Sequence, residues 1–520
     1  MKLHQIDFEE TKRFSSIFLD YINNKKELQS HYTYRPEIAS FKDAISNRNF
    51  DNTKRPVLVQ ALQEQYKSIR SHELVKDNIE SLAEENTFTV TTGHQLNIFT
   101  GPLFFIYKIV ATINMAKMLK KEYPSYHFVP IYWMASEDHD FEEINNFRLF
   151  GKKYSWETNQ KGPVGKFDPK SMKNLLDEIS EKPDFITSGY LDQNNLAEAT
   201  RYIVHHLFGD QGLVILDAND HQLKKEFKHI IKDDLFNHSA HKQADKCTDK
   251  LEKLGYKSQL FPRPINLFYM EDTLRERIEE QAGKYHVLNT SIVLSKEEIT
   301  DLVDNAPEKF SPNVVLRPVY QEVILPNLAY IGGPAEVAYW LQLKDGFDHF
   351  QIPFPVLFPR SFAMIIPKSI KKKMDKLALE ANSMFEDFDV LKAQILYKDT
   401  EPLHDLSGQI NEIENTFKSI QAKAQELDKS LEGFVQSEYK KIEKGVENIQ
   451  KRLKRAEEQK EEVNIKQLES ILDKLFPDGN PQEREDNFLN FYINNPSFIH
   501  ELTALFDPFQ LKYNILTEDA

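Results

Sequence analysis

The chain has 520 residues, with 81 acidic groups against 66 basic ones and a net charge of −15. That length exceeds one simple core, so two or three structural units are expected. The acidic balance argues against nucleic acid as a partner, whose phosphates require a basic face. A single cysteine, Cys247, excludes an intrachain disulfide and any multi-cysteine metal site. The first residues lack the apolar core of a signal peptide, and no run approaches membrane-spanning length, so the expectation is a cytoplasmic protein without a membrane segment.

Residues 1–85 read as a polar helical cap, with an aromatic cluster around Phe14, Phe18 and Tyr21 and a second helix near 57–69. Residues 87–92 are β-branched and aromatic, the pattern of a buried strand. A polar turn, Gly93-His94-Gln95-Leu96-Asn97, follows it. Thr100 is expected to cap a helix whose first turn holds Gly101 and Pro102 and whose inner face carries Leu103, Ile106, Val110 and Ile113. Pro124 ends that helix, and residues 128–134 form a second apolar strand interrupted by one proline. Strand, helix and strand make a βαβ unit with parallel strands and a right-handed crossover. Their carboxyl ends share one edge, where ligands of open α/β sheets bind. The turns Thr92-Gly93-His94-Gln95 and Ser136-Glu137-Asp138-His139-Asp140 should meet there.

Residues 147–156 suggest a hairpin, and the loop 161–166 holds glycines and lysines without a nucleotide-binding spacing. Helices near 170–182 and 194–208 precede residues 212–217, a third parallel strand that ends at Asp217 and Asn219. His205 and His206 are adjacent on a helix and face different ways, so one joint metal site is not expected. Segments 258–270 and 286–294 look like strands of an inserted lobe, followed by a capping box at Ser295 and Glu298. Beyond Arg317, Tyr320, Gln321 and Glu322, residues 327–331 form a strand. Gly332-Gly333-Pro334 then turns into a helix with Glu336, Tyr339 and Trp340, an arrangement that lets a ligand approach bare backbone. Residues 356–358 form a further strand that ends at Arg360 and Ser361, and Arg360 could pair with a carboxylate or phosphate.

From about residue 402 a heptad seam runs through Leu406, Ile410, Ile413, Phe417 and Ile420, and a second seam through Tyr439, Ile442, Val446, Ile449 and Leu453 is out of phase with it. With Asp428 as a cap between them, an antiparallel helical hairpin is expected, the alternative being one long helix with a discontinuity. A pair that buries only one stripe invites self-association. The apolar tail after residue 477 should pack back on the main domain.

The cluster Glu137, Asp138, His139, Asp140, Glu142 and Glu143 allows three readings: ligands for a divalent cation, a general base, or an acidic first helical turn without function. Its place at the end of a parallel strand favours a site.

Thr92-Gly93-His94-Gln95, Thr100-Gly101-Pro102 with Tyr107-Lys108, and Glu137-Asp138-His139-Asp140 together resemble the BshC family, the cysteine ligases assigned to bacillithiol synthesis. Arg317-Pro318, Gly332-Gly333-Pro334 with Glu336, Pro359-Arg360 and Gln482-Glu483-Arg484 continue the resemblance over most of the chain. His94 departs from the glutamine expected in many members. The resemblance implies an α/β fold: a Rossmann-like, nucleotidyl-transferase-like parallel-sheet core with inserted connecting lobes and a helical coiled coil that mediates homodimerisation. Along the chain, a helical cap is expected over 1–85 and a core over 86–400 with inserted lobes at about 147–210 and 255–310. The coiled coil would occupy 401–476 and the tail 477–520. The resemblance further implies addition of cysteine to glucosaminyl-malate in the last step of the pathway, with ATP or ADP as the expected nucleotide and no metal ligands assigned. Asp138, His139 and Asp140 would orient or deprotonate the amine. Thr92, Gly93, His94, Gln95, Asn97, Thr100, Gly101, Tyr107, Lys108, Glu137, Arg317, Gly332, Gly333, Glu336, Arg360 and Ser361 would bind substrate or nucleotide. The competing readings are a metal-dependent hydrolase using the cluster at Glu137 to Asp140, and a dimeric ligand-binding or scaffold protein.

Overall fold

Five parallel strands organise the larger part of the chain: β1 (Thr87–His94), β2 (His127–Met134), β3 (Val214–Asp217), β4 (Asn327–Gly332) and β5 (Val356–Pro359). Their order across the sheet is β5-β4-β1-β2-β3, every neighbouring pair being parallel. The chain moves outward from β1 to β3 and then returns to lay β4 and β5 on the other side. The topological switch point therefore lies between β1 and β4. The computed structural model describes residues 1–398 and 402–518.

The sheet is buried on both faces, as parallel sheets are. Val90, Ile331, Val356 and Phe358 have no exposed surface. Pro130 sits inside β2 opposite Val90, and the strand keeps its register through it. One face is covered by α1 (Phe104–Glu122), with Ile106, Ile109, Val110 and Ile113 fully buried. This helix begins four residues later than Thr100, because Phe99 and Thr100 both take left-handed backbone angles (φ 52° and 67°) and cannot start a right-handed helix. The strained turn is held from outside. The Phe99 N–H donates to Tyr190 Oη at 2.5 Å, and Asn487 Nδ2 donates to the Phe99 and Gly101 carbonyls at 2.8 and 2.6 Å. Residues 480–516 thus pack on the core; Asn114 Nδ2 also donates to the Thr503 and Phe506 carbonyls at 2.9 and 2.6 Å.

The N-terminal helices Ser16–Ile22, Ser40–Asn47, Arg55–Gln65 and Glu73–Ser81 cover the sheet, Phe41, Ala44 and Ile45 joining Phe88, Val356 and Phe358 in one core cluster. The lobe after β3 is a five-stranded antiparallel sheet. It contains Leu267–Glu271, Leu274–Gln281, Lys284–Val287 and Val293–Leu294, with Phe310–Pro312 at one edge. Its longest strand, Leu274–Gln281, lies between the two segments that the sequence pattern suggested, because its run of Arg and Glu hides the alternation of buried and exposed positions.

Two compact units divide the chain, a few terminal residues aside: residues 3–364 with 480–516, and residues 365–479. In the second, Lys368–Leu377 and Phe388–Leu396 pack on Glu462–Leu475, with Lys373 Nζ donating to Ser470 Oγ at 2.8 Å. The expected boundary at 400/401 lies outside the described residues. Two long helices, Ser407–Leu427 and Leu431–Lys460, form an antiparallel hairpin in which Phe417 meets Tyr439 and Gln421 meets Glu432. Asp428 does not cap the second helix, whose N-cap position is Ser430; it ends the first helix and accepts the Ser430 N–H in the turn between them. Phe434, Ile442 and Ile449 remain exposed along the second helix. No helix among the described residues is long and apolar enough to cross a membrane.

Candidate functional site

Where β1 and β4 diverge, the sheet opens into a cleft of about 260 Å3. Gly93, His94 and Gln95 at the end of β1 form one wall, with Trp133 and Ala135 from the end of β2 beside them. The opposite wall comes from Tyr330 of β4 and from α2 (Arg317–Ile324) and α3 (Pro334–Leu341), which contribute Arg317, Gln321, Glu336 and Trp340. Phe104 and Lys108 of α1 close the inner end. A cleft at this position follows from strand order alone, because the connections on either side of the switch point leave in opposite directions.

The inner end is one compact ionic knot. Lys108 Nζ donates to Glu336 Oε2 at 2.7 Å and to the Gly93 carbonyl at 2.6 Å. Glu336 also accepts Tyr330 Oη at 2.6 Å and the Gly333 N–H at 2.7 Å. Burial lowers the Lys108 value against the pull of Glu336. The Gly333 amide at this turn is therefore not free: Glu336, three residues on, folds back onto its N–H. His94 stands beside the knot between the rings of Phe104 and Phe105. Burial, with Lys108 and Arg360 adding like charge, pushes it well below the ordinary imidazole range, so the ring is neutral. Its Nε2 is buried without a hydrogen-bond partner among the described residues.

The two expected edge turns do meet. Gln95 Nε2 donates to Glu143 Oε2 at 2.8 Å and to Asp138 Oδ2 at 3.3 Å, and Asn97 Nδ2 donates to the Glu143 carbonyl at 3.2 Å. The acidic turn is largely neutralised from other elements. Glu137 is paired with the fully buried Lys224, which also donates to the Phe310 carbonyl at 2.7 Å. Asp138 lies 3.5 Å from Arg275 Nη1 and 3.7 Å from Arg317 Nη2. Burial works to raise the Asp138 carboxyl, but Arg317 and Arg275, with the His139 N–H and Gln95, outweigh it and hold it below the usual range. His139 Nδ1 accepts from Arg275 at 2.6 Å, which leaves the proton of a neutral ring on Nε2. In that tautomer His139 offers a donor rather than a base. Asp140 is the open member, its side chain 55% exposed.

Several expected residues lie away from the cleft. Thr92 Oγ1 donates to the Ile331 carbonyl at 2.8 Å and ties β1 to β4. Thr100 and Gly101 belong to the strained turn, and Asn97 and Thr100 each bury an oxygen without a partner among the described residues behind Gln95. Tyr107 points to the C-terminal segment, its ring against Phe506. Arg360 is not open to a ligand. Its Nη2 donates to Glu483 Oε1 at 2.6 Å, its Nη1 to the Ser361 carbonyl at 2.8 Å, and both charged residues are 3% exposed. Ser361 is buried beside it.

Arg275, Lys224 and Glu483 were not singled out as individual site residues from the sequence. Arg275 and Lys224 lie in charged stretches without a local signature, Glu483 stood only within the motif Gln482-Glu483-Arg484, and each finds its partner more than eighty residues away. Arg275 in particular is carried in by the lobe and stacks on Phe268, its guanidinium carbon 3.9 Å from the ring centre; burial lowers its value to about 10.

Ligand atoms of Asp138, His139 and Asp140 come within 4.8 Å of one another, near enough for a shared cation. Arg275 already engages the first two, so a divalent ion would face a guanidinium at the same atoms. Of the groups expected to meet a phosphate, the Gly333 amide and Arg360 are both engaged within the protein. A carboxylate suits the cleft: Arg317 is 27% exposed at the side chain and tied only loosely to Asp138.

The profile described as the Bacillithiol biosynthesis BshC N-terminal Rossmann-like domain matches residues 1–361, and that of the BshC C-terminal coiled-coil domain matches residues 363–518. Relatives that carry the provisional name cysteine ligase BshC include a Flavobacterium psychrophilum protein, 43% identical over 98% of both chains. One from Flavobacterium johnsoniae is 41% identical over 98% of this chain and 99% of its own. One from Bacillus thuringiensis is 30% identical over 92% of this chain and 93% of its own.

Proposed function

The chain belongs to the BshC family of bacillithiol biosynthesis, and from that premise we propose that it is a cysteine ligase that joins cysteine to the amine of glucosaminyl-malate through an amide bond. The observation that carries this reading is the cleft at the switch point, with Arg317 half-open at its mouth and the Lys108–Glu336 knot at its inner end. Cysteine and glucosaminyl-malate both bear carboxylates, and a planar guanidinium with free donors is the group suited to hold one. Lys108 adds positive potential without being free to leave its two acceptors. His139, with its proton on Nε2, serves as a donor to a carbonyl oxygen. Asp138, kept ionised by two arginines, orients His139 and Arg317. Asp140 is the acceptor left for the incoming amine.

Condensation of a free carboxylate with an amine is uphill in water, so the reaction draws on an activating co-substrate, for which ATP is our proposal. The exposed stripe at Phe434, Ile442 and Ile449 supports a homodimer, which light scattering at micromolar concentration tests by the mass it reports.

The decisive experiment incubates the purified full-length chain with cysteine, glucosaminyl-malate and ATP and follows product mass. The expected product is the amide. A deletion strain should lose bacillithiol and accumulate glucosaminyl-malate. An unchanged thiol pool, together with no amide in vitro, would overturn the reading. Metal analysis after chelation separates the hydrolase alternative, which rests on the 4.8 Å grouping of Asp138, His139 and Asp140 and requires stoichiometric bound metal.

A further inference from the structure

Gln321 stands on α2 with only 3% of its surface exposed, and it lines the cleft. Its Nε2 donates to Glu322 Oε1 at 2.9 Å, and the same oxygen accepts Asn327 Nδ2 at 2.7 Å. Asn327 Oδ1 in turn accepts the hydroxyls of Thr89 and Thr91 at 3.1 and 2.9 Å. Behind them Arg48 Nη2 donates to the backbone oxygens of Glu322 and Leu325 at 2.9 and 2.6 Å and lies 3.3 Å from Glu322 Oε2.

This chain fixes which way the Gln321 amide faces. Reversing it would set the Gln321 oxygen against Glu322 Oε1 in a buried site, cost that carboxylate one of its two N–H donors and leave the amide oxygen without any there. The orientation survives protonation of Glu322, whose carboxyl burial pushes up to about 7. Oε1 already receives two N–H groups, so a proton would sit on Oε2. Gln321 Oε1 is thus the amide atom left to the cleft, and it has no hydrogen-bond partner among the described residues. Around it the cleft is walled by Trp133, Tyr330 and Trp340, the last two stacked at 4.6 Å. A fixed carbonyl oxygen among aromatic faces suits a cation that can also donate a hydrogen bond.

We infer that Gln321 is a specificity-determining residue that presents a fixed acceptor to a primary ammonium of the bound ligand, with Glu322 as the positioning residue behind it. The inference rests on the ligase reading of the cleft, since both proposed substrates carry a primary amine.

Calorimetric titration of the full-length protein with two matched pairs tests it. Cysteine is compared with 3-mercaptopropionate, which lacks the amine, and glucosaminyl-malate with glucosyl-malate, which has a hydroxyl in its place. The wild type should prefer the amine member of at least one pair by about tenfold to a hundredfold, the range for a hydrogen bond to a charged group. Gln321→Met, close in size, should bring that preference to within about threefold, whereas Gln321→Glu should keep it. A general structural loss would weaken both members of a pair and leave their ratio alone. If the wild type shows no preference, or Gln321→Met keeps it while Arg317→Ala weakens both members, the role given to Gln321 is overturned and the cleft reading stands. If none of the four compounds binds, or Arg317→Ala changes nothing, the cleft reading falls and the inference with it.

Discussion

The two strands that flank β4 end in opposite electrostatic conditions. At the end of β5, Arg360 and Glu483 form an ion pair closed from solvent, whose second carboxylate oxygen also accepts the Ala363 N–H at 2.9 Å. On the β1 side, Arg317 reaches Asp138 only at 3.7 Å and keeps part of its guanidinium in the open. Both arginines have the same charge and lie on the same edge of the sheet. Burial and partner count decide that one is structural and the other available. Anion binding at this edge is therefore read from unmet donors, not from the number of cations.

The largest effect should come from breaking the closed pair. Glu483→Leu would leave Arg360 charged, buried and unpaired, and should lower stability by about 3–5 kcal/mol in urea denaturation. A loss under about 1 kcal/mol would mean that Arg360 relaxes to solvent and that the two strand ends are alike after all.

A second contrast concerns carboxylates. Asp234 is fully buried and, among the described residues, only Asn266 donates to its carboxylate, through its N–H at 2.5 Å and its Nδ2 at 3.2 Å; burial pushes its carboxyl up to about 7. Its folded value exceeds its unfolded one, so the stability it contributes is complete below about pH 4 and is lost as pH rises through 7. Asp138, depressed by its arginines, runs the other way and loses its contribution as pH falls through the acid range. Between pH 5 and pH 8 the wild type should lose stability that Asp234→Asn retains, on the order of 3 kcal/mol. Parallel pH curves for the two proteins would refute this.

Opening the comparison at the cleft, Arg317→Ala should weaken binding of a carboxylate ligand by about tenfold to a hundredfold, while its cost in stability should stay below that of Glu483→Leu, because the buried Asp138 keeps Arg275 at 3.5 Å. Titration and thermal unfolding of the same sample check both halves.

The parts of this arrangement that were legible in the sequence are those with a local signature. β1, β2, β4 and β5 announce themselves as β-branched or aromatic runs, and the phase slip between the two heptad seams, with Asp428 near it, points to a turn between two helices. The meeting of the turns at Gln95 and Asp138 followed from parallel pairing alone. The state of the charges was not legible, because each partner is remote: Lys224 for Glu137, Arg275 for Asp138, Glu483 for Arg360. One local signal was available and points against a free anion site at the glycine turn. Gly333 is followed at the third helical position by Glu336, the spacing at which a carboxylate folds back on the cap N–H. Thr100 shows the converse, a favourable cap residue overridden by a left-handed turn that Asn487 and Tyr190 hold in place.

The smallest expected effect on stability separates the two halves of the acidic turn. Asp138 is 7% exposed and faces Arg275, which would be left short of a counter-charge if it were removed. Asp140 stands 55% exposed at the side chain, with His139 Nε2 3.9 Å away. Asp140→Ala should therefore change stability by less than about 0.5 kcal/mol, as surface substitutions do. If Asp140 accepts the proton of the incoming amine, the same variant should slow amide formation while cysteine affinity stays within about twofold, a change in turnover rather than in binding. Unchanged turnover would assign the whole turn, exposed half included, to holding Arg275 and Arg317 in place. The proton acceptor would then have to be sought at the mouth of the cleft.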